Sequence, residues 1–464
     1  MGIVRLFRVF VAGIGLSLMI APGATAQDFG EGTDFVDYVR RTCGALAGLG
    51  TGRTNTQTDL FQRCNGALNA PSTTDQGLSA QGDILDQYIG VQGISAQSDG
   101  LSRTSRADQF VSARLNVISG QMRSGQFANL MTERPVLLAS NDPDSVDLSG
   151  TSLSREGRWD GFASLGGFQT DQDSTSDELG FDVDGFWFAG GVDYSFNDRL
   201  IAGAALSYVD SSADFNSIGG LSSGGTTDTE SVAVTLYGSY LLTDPYELNA
   251  WELNGLLSFG QSDFETSRDI SIVDKNGGGI NAISDGNFAT VNRTATSSTD
   301  ADNIQASIGV AYSMYSDNGV SFTPSANLTY YYSEIAGFSE SGSNGLDLIF
   351  DDQEIDSLQA SIGANVSKPY STDWGVVVPY ARANGVFELQ DTAQTVRGRY
   401  AVAINQDDSF VIRTNDADEF VVDFAVGASA QFANGASAFA EYSTMLGLEN
   451  VDHQAFSIGV RFEF

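Results

Sequence analysis

The sequence predicts an all-β transmembrane barrel of about twelve antiparallel strands, preceded by a small α-helical amino-terminal region with a pore-threading helix. Three observations predict the barrel. From Arg158 onward apolar and polar residues alternate with a period of two, as a strand with one greasy and one polar face requires. The alternating runs are long enough to cross a bilayer, which takes about 9–11 tilted residues. The connections between runs alternate between short and long, the habit of barrels with tight turns on one rim and large loops on the other.

The last run is the clearest. Phe456, Ile458, Val460, Phe462 and Phe464 fall at every second position, with Ser457, Gly459, Arg461 and Glu463 between them. An exposed edge strand of a soluble protein is usually blunted by charge or proline. This run is expected to pair on both sides while its apolar face meets outer-membrane lipid.

Composition agrees. The 464 residues carry a formal charge of −36, with 59 acidic against 23 basic side chains. That excludes nucleic acid as a partner, since phosphate binding needs a basic surface. There are 52 glycines, 29 phenylalanines and 8 prolines, and the mean hydropathy is −0.10. Such a balance suits many strands whose apolar residues are diluted by an alternating polar face.

Residues 1–26 read as a secretory signal peptide: Arg5 and Arg8, then the apolar run Val9–Ile20, then Ala24-Thr25-Ala26. Cleavage is expected between Ala26 and Gln27. The apolar run is short for a membrane anchor, and no later segment offers about 20 apolar residues in a row. Cys43 and Cys64 both follow the signal, so one disulfide is expected. It would stabilise by roughly 3 kcal/mol. No zinc site is expected, because the one histidine, His453, lies in a distant strand pattern.

Residues 27–75 are read as a small helical, disulfide-bonded region. Thr73-Thr74-Asp75-Gln76 suits the cap of a following helix. Residues 76–150 are read as pore helix and linker. Leu85, Tyr88 and Ile89, then Phe110, Val111, Arg114, Leu115 and Ile118, recur at helical spacing over 78–131. Gly90, Gly93 and Gly100 make it a poor core helix. It suits a narrow polar lumen, or else a flexible linker, and 139–157 reads as a polar linker.

Residues 151–464 form the barrel, with runs expected to start near 158, 181, 199, 229, 247, 300, 319, 355, 374, 418, 435 and 451. Short turns are expected at Asn197-Asp198, Thr243–Tyr246, Asp317-Asn318-Gly319, Ser371-Thr372-Asp373, Asn434-Gly435 and 448–450. Long polar connections are expected at 170–180, 211–228, 268–298, 337–353 and 391–416. Tyr330, Tyr331, Tyr332, Tyr370, Trp374, Phe462 and Phe464 are placed as an interfacial girdle. A soluble β-sandwich also alternates, but it explains neither the length of the runs nor the loop asymmetry.

Three stretches carry a resemblance to a known family: Gly185–Tyr208, Asn434–Tyr442 and Ala455–Phe464. With them, residues 155–464 resemble the translocator domain of autotransporters, the type V secretion proteins. The resemblance implies an outer-membrane location in a Gram-negative bacterium and export through the Sec translocon. It also implies insertion by the barrel-assembly machinery acting on the terminal aromatic strand, and a helix held in the pore of a monomeric barrel. A twelve-stranded barrel has a backbone diameter of about 25 Å, which leaves room for one helix. Arg103, Arg106 and Arg114 of that helix are candidates to pair with the inward acids Glu252, Glu388, Asp423 and Glu441. Unlike most members of that family, this chain has no repeat-built passenger between signal and barrel.

No catalytic motif stands out, and no cofactor is expected. Gly220–Gly224 has the spacing of a serine-hydrolase elbow but lies in a Gly/Ser loop with no histidine nearby. Asp171, Asp173, Asp177 and Glu178, and likewise Asp347, Asp351, Asp352, Glu354 and Asp356, lack the full spacing of a calcium loop. Gly277-Gly278-Gly279 lacks the Lys-Ser/Thr of a phosphate loop. His453 reads as a rim residue. The expectation is a non-enzymatic outer-membrane barrel that translocates or displays its own short amino-terminal passenger. The alternative is a channel or adhesin-like barrel with a periplasmic amino-terminal region, and a third option is a secreted soluble β-protein.

Overall fold

A computed structural model describes residues 30–68 and 158–463, apart from 174–179, 217–223, 245–246, 248, 275–288, 391–394, 414–419, 433–435 and 449. Two helices come first, α1 (Gly30–Gly48) and α2 (Asn55–Leu68), joined by a 3-10 turn at Gly50–Gly52. The strands follow: β1 (Arg158–Gln172), β2 (Phe181–Ser195), β3 (Leu200–Phe215), β4 (Gly225–Leu241), β5 (Ala250–Asp274), β6 (Ala289–Tyr315) and β7 (Ser321–Ile335). Next come β8 (Phe338–Ser339), β9 (Leu348–Phe350), β10 (Gln353–Ser367), β11 (Tyr370–Thr372), β12 (Gly375–Glu388), β13 (Thr395–Tyr400) and β14 (Phe410–Arg413). The last three are β15 (Phe420–Phe432), β16 (Ser437–Leu446) and β17 (Val451–Glu463).

The sheet order runs β10-β7-β6-β5-β4-β3-β2-β1-β17-β16-β15-β12, and β10 also pairs with β12. Twelve strands therefore close on themselves. First and last meet antiparallel, from Asp160 opposite Glu463 to Gln172 opposite Val451. Closure leaves no unpaired edge for lipid to meet, which is the only way a sheet can span hydrocarbon.

The side chains are arranged inside out compared with a soluble protein. Leu165, Phe188, Leu206, Val234, Phe259, Ile308, Ile362 and Ile458 face outward and are exposed. Ser164, Ser207, Ser231, Ser258, Gln305 and Glu441 face inward and are buried. On β17, Phe456, Ile458, Val460 and Phe462 point out and His453 and Arg461 point in, as the alternation requires. Toward the long-loop rim the outward positions turn acidic, at Asp182, Asp214, Asp228, Glu230, Asp263 and Asp300. The hydrocarbon boundary therefore lies below them. A soluble sandwich is ruled out, because the apolar face is the outside of one closed sheet.

Tight turns have the expected chemistry. Asn197 Oδ1 accepts the N–H groups of Arg199 and Leu200 at 2.8 Å each. Gly319 takes φ 79, which closes the β6–β7 turn at no steric cost. The turn at Asn434-Gly435 lies outside the described residues.

Most strand starts fall within four residues of expectation, but β6 begins at Ala289, well before 300. The stretch 268–298 is not simply a loop. β5 and β6 pair as far as Asp274 opposite Ala289, a hairpin standing above the barrel. Ser and Thr occupy both faces there, so no hydrophobic period marks it, although threonine favours strands. The connections 337–353 and 391–416 are likewise structured: β8, β9, β13 and β14 form a separate four-stranded sheet. Tyr331 is not part of a girdle. It is buried in the lumen and donates to Asn303 at 3.0 Å.

Candidate functional site

Two regions combine into the candidate site: the polar lumen and a platform over its long-loop mouth. In the lumen, inward hydroxyls bond across strands. Ser231 and Ser262 share a hydrogen bond of 2.7 Å, and Thr235 and Ser258 one of 2.9 Å. Such ladders satisfy polar groups that lipid could not.

The inward acids expected to meet a pore helix have partners on the barrel itself. Glu252 accepts the Ser239 hydroxyl at 2.6 Å. Glu388 accepts Ser357 at 2.8 Å and the Gln359 amide at 3.0 Å. Asp423 and Glu441 flank Arg382, at 3.6 and 3.4 Å, and Tyr380 donates to Glu441 at 2.9 Å. Gly427 makes room for this last contact, since a Cβ there would stand 2.6 Å from the Tyr380 ring. Arg103, Arg106, Arg114 and the whole expected pore helix lie outside the described residues. Sequence reasoning missed Arg382. The signal was present: Tyr380, Arg382 and Asn384 put three polar side chains on one face of an otherwise small, apolar strand.

Arg461 and Asp160 form a second charge pair, 2.7 Å apart and almost fully buried, across the seam where the barrel closes. His453 sits toward the loop rim, inside, with its Nδ1 bonded to the Thr170 hydroxyl at 2.8 Å.

The platform is the four-stranded sheet. β9 pairs with β8 and β13, and β13 pairs with β14. Arg268, on the extended part of β5, ties it down by donating to both Glu340 oxygens at 2.8 and 2.6 Å. Both side chains are buried, and a bidentate geometry is the favourable one for a buried pair.

The helical hairpin packs on this platform. On α1, Tyr38, Val39, Thr42, Cys43 and Leu46 are buried at helical spacing along one face. α2 opens with a capping box: the Gln57 N–H donates to Thr54 Oγ1 at 3.2 Å and the Thr54 N–H to Gln57 Oε1 at 3.0 Å. That box was legible as Thr54-Asn55-Thr56-Gln57, whereas the one expected at Thr73–Gln76 lies outside the described residues. Tyr38 stacks on Tyr400 at 6.0 Å and meets Phe410 edge-on at 5.4 Å. Its hydroxyl accepts the Tyr400 N–H at 2.8 Å. Arg41 donates to both oxygens of Asp408 at 2.9 and 2.8 Å. Asp59 receives both Nη1 and Nη2 of Arg293, which also donates to the Ser343 carbonyl at 2.9 Å.

Two outcomes follow. Gly345 lies under α2, where a Cβ would come 2.5 Å from the Thr56 carbonyl and 2.6 Å from the Leu60 nitrogen. Gly345→Ala is expected to weaken docking by about 1–3 kcal/mol, because backbone cannot step aside. Limited proteolysis of α1 and α2 in the purified protein checks it. Burial raises the Tyr38 phenol above its ordinary value. A raised acid pKa leaves docking intact below about pH 10 and weakens it above, by up to about 1.4 kcal/mol per pH unit. Alkaline titration of hairpin release should therefore show a pH-dependent limb that Tyr38→Phe abolishes.

A closed cylinder with hydrocarbon-compatible walls, tight turns on one rim and large loops on the other is an outer-membrane β-barrel. Residues 162–443 match the autotransporter beta-domain, and the chain belongs to that family, in the outer membrane of a Gram-negative bacterium. No curated protein matches the sequence. Among solved structures, the chain is similar to the translocator domain of autotransporter NalP from Neisseria meningitidis. The identity is 18% over 74% of this chain and 97% of that one, with a TM-score of 0.49. The beta domain of the Bordetella autotransporter BrkA matches at 17% identity over 66% of this chain and all of that one, TM-score 0.41. The transport unit of AIDA-I from Escherichia coli matches at 12% over 74% and 99%, TM-score 0.47.

Proposed function

We propose that this autotransporter barrel displays its own amino-terminal hairpin on the cell surface, with no enzymatic turnover. The observation that carries the reading is the location of α1 and α2. They pack on the long-loop rim, the outer one in such barrels. β1 begins at the opposite rim, where Arg158 lies opposite Ser195 beside the short β2–β3 turn. Hairpin and first strand thus stand at opposite rims, the arrangement that leading the amino-terminal segment outward through the pore would leave, since lipid is no route for a polar chain. Residues 1–26 serve as the Sec signal in this reading, and β17 serves as the strand taken up by the barrel-assembly machinery. A Cys43–Cys64 bridge closes the hairpin. It is supported by the absence of a free cysteine among the described residues. The absence of turnover is supported by the one histidine, whose Nδ1 is engaged by the Thr170 hydroxyl inside the barrel.

An epitope inserted at the exposed turn Gly50–Gly52 tests the proposal. Antibody binding to intact cells is the expected result. Binding only after permeabilisation would favour the alternative, a channel with a periplasmic amino-terminal region.

A further inference from the structure

We infer that the loop platform is the folding template of the hairpin, so that the surface presented outward is a composite of both and not an independent passenger. The inference rests on the surface-display reading above and adds a dependence to it.

Among the described residues the hairpin has no core of its own. Its helices are 19 and 14 residues long; the second is short enough to be marginal in water on its own, and the first is weakened by Gly44 within it. Every fully buried apolar side chain described on them belongs to one cluster shared with the platform. Tyr38, Val39, Leu46 and Leu60 join Leu346, Leu348, Phe350, Val396, Tyr400 and Phe410. A disulfide limits the unfolded chain but does not supply a surface on which to bury these residues.

The dependence has chemical as well as apolar content. The Tyr38 hydroxyl accepts a platform backbone N–H, and each helix contributes one charge to a bidentate pair with the barrel, Arg41 to Asp408 and Asp59 to Arg293. The platform also has the shape of a receptor. Gly345 lets the backbone of α2 approach to a distance at which no side chain would fit. A hairpin emerging from the pore would therefore meet a prepared apolar face and fold upon it. Cutting the linker would not release a folded domain.

Hydrogen exchange on the full-length protein in detergent tests this, first with changes confined to the platform and then with one compensating change on α1. The variant Val396→Ala/Phe410→Ala/Asp408→Arg leaves the hairpin sequence and its cysteines untouched. Its α1 and α2 amides are expected to lose protection together, by at least about tenfold, while β1–β7 stay protected. In Asp408→Arg alone the loss should be smaller, and adding Arg41→Asp should restore protection. Helices that stay protected while the Tyr400 amide opens would overturn the inference, since the hairpin would then fold undocked. Helices and Tyr400 amide both unchanged in the triple variant would overturn it equally. External antibody binding is read separately: if it fails while the exchange result holds, display is wrong and the template stands.

Discussion

Replacing Asp160 with alanine is expected to destabilise the closed barrel by about 3–5 kcal/mol, the usual cost of leaving a buried charge without its partner. Arg461 is 3% exposed and Asp160 2%, so neither side chain can turn to bulk water where it stands. Their backbones belong to the two strands that close the cylinder, with Phe162 opposite Arg461 and Asp160 opposite Glu463. The loss therefore falls on the seam. Guanidinium unfolding in detergent, followed by the heat-dependent gel mobility of folded barrels, measures it. The midpoint should fall with the slope unchanged. Asp160→Leu combined with Arg461→Met should recover most of the loss, because it removes both charges rather than one. A single variant as stable as the parent would mean that the lumen hydrates Arg461 despite its burial.

This seam also marks the limit of what the sequence discloses. The strands themselves were legible because membrane barrels impose one rule at every position: apolar out, small or polar in. Ile304 and Ile308 against Asn303 and Gln305 obey it, and the structure exposes the first pair and buries the second. Where that rule lapses, reading fails. Above the bilayer the β5–β6 hairpin turns only scattered apolar residues such as Ile270 and Ala295 toward the platform, so the stretch 268–298 reads as a loop. The platform strands are two to six residues long, too short for a period, and their partners are distant: Gly398 lies opposite Phe350. The hairpin's helices were anticipated, but not their seat. Nothing local in Tyr38 or Asp59 points to Tyr400 or Arg293. Charge pairs suffer from the same distance. Glu441 and Asp423 were recognisable as inward acids, yet Arg382 was not joined to them. The registers of β12 with β15 and of β15 with β16, which set Asn384 opposite Asp423 and Gly427 opposite Glu441, bring the three together.

Ile458→Arg is expected to cost about 2–4 kcal/mol, the penalty for a charge near the bilayer midplane on the lipid face of a barrel. Ile458 lies near the middle of β17 and is exposed there, with Leu165 opposite it on β1. In a soluble protein, arginine at an exposed strand position would be nearly neutral. The sign and size of the effect therefore report directly on the solvent around the barrel. Gln454→Arg supplies the contrast. Gln454 faces outward on the same strand, two outward positions nearer the loop rim, and should lose only about 0–1 kcal/mol. The comparison is made by reversible urea unfolding in lipid vesicles, where depth in hydrocarbon is real, and repeated in detergent, where it is blurred. A large difference between the two positions in vesicles that shrinks in detergent is the expected result. Equal small losses in both media would mean that this face of β17 meets water, and the membrane-spanning reading would fall with it.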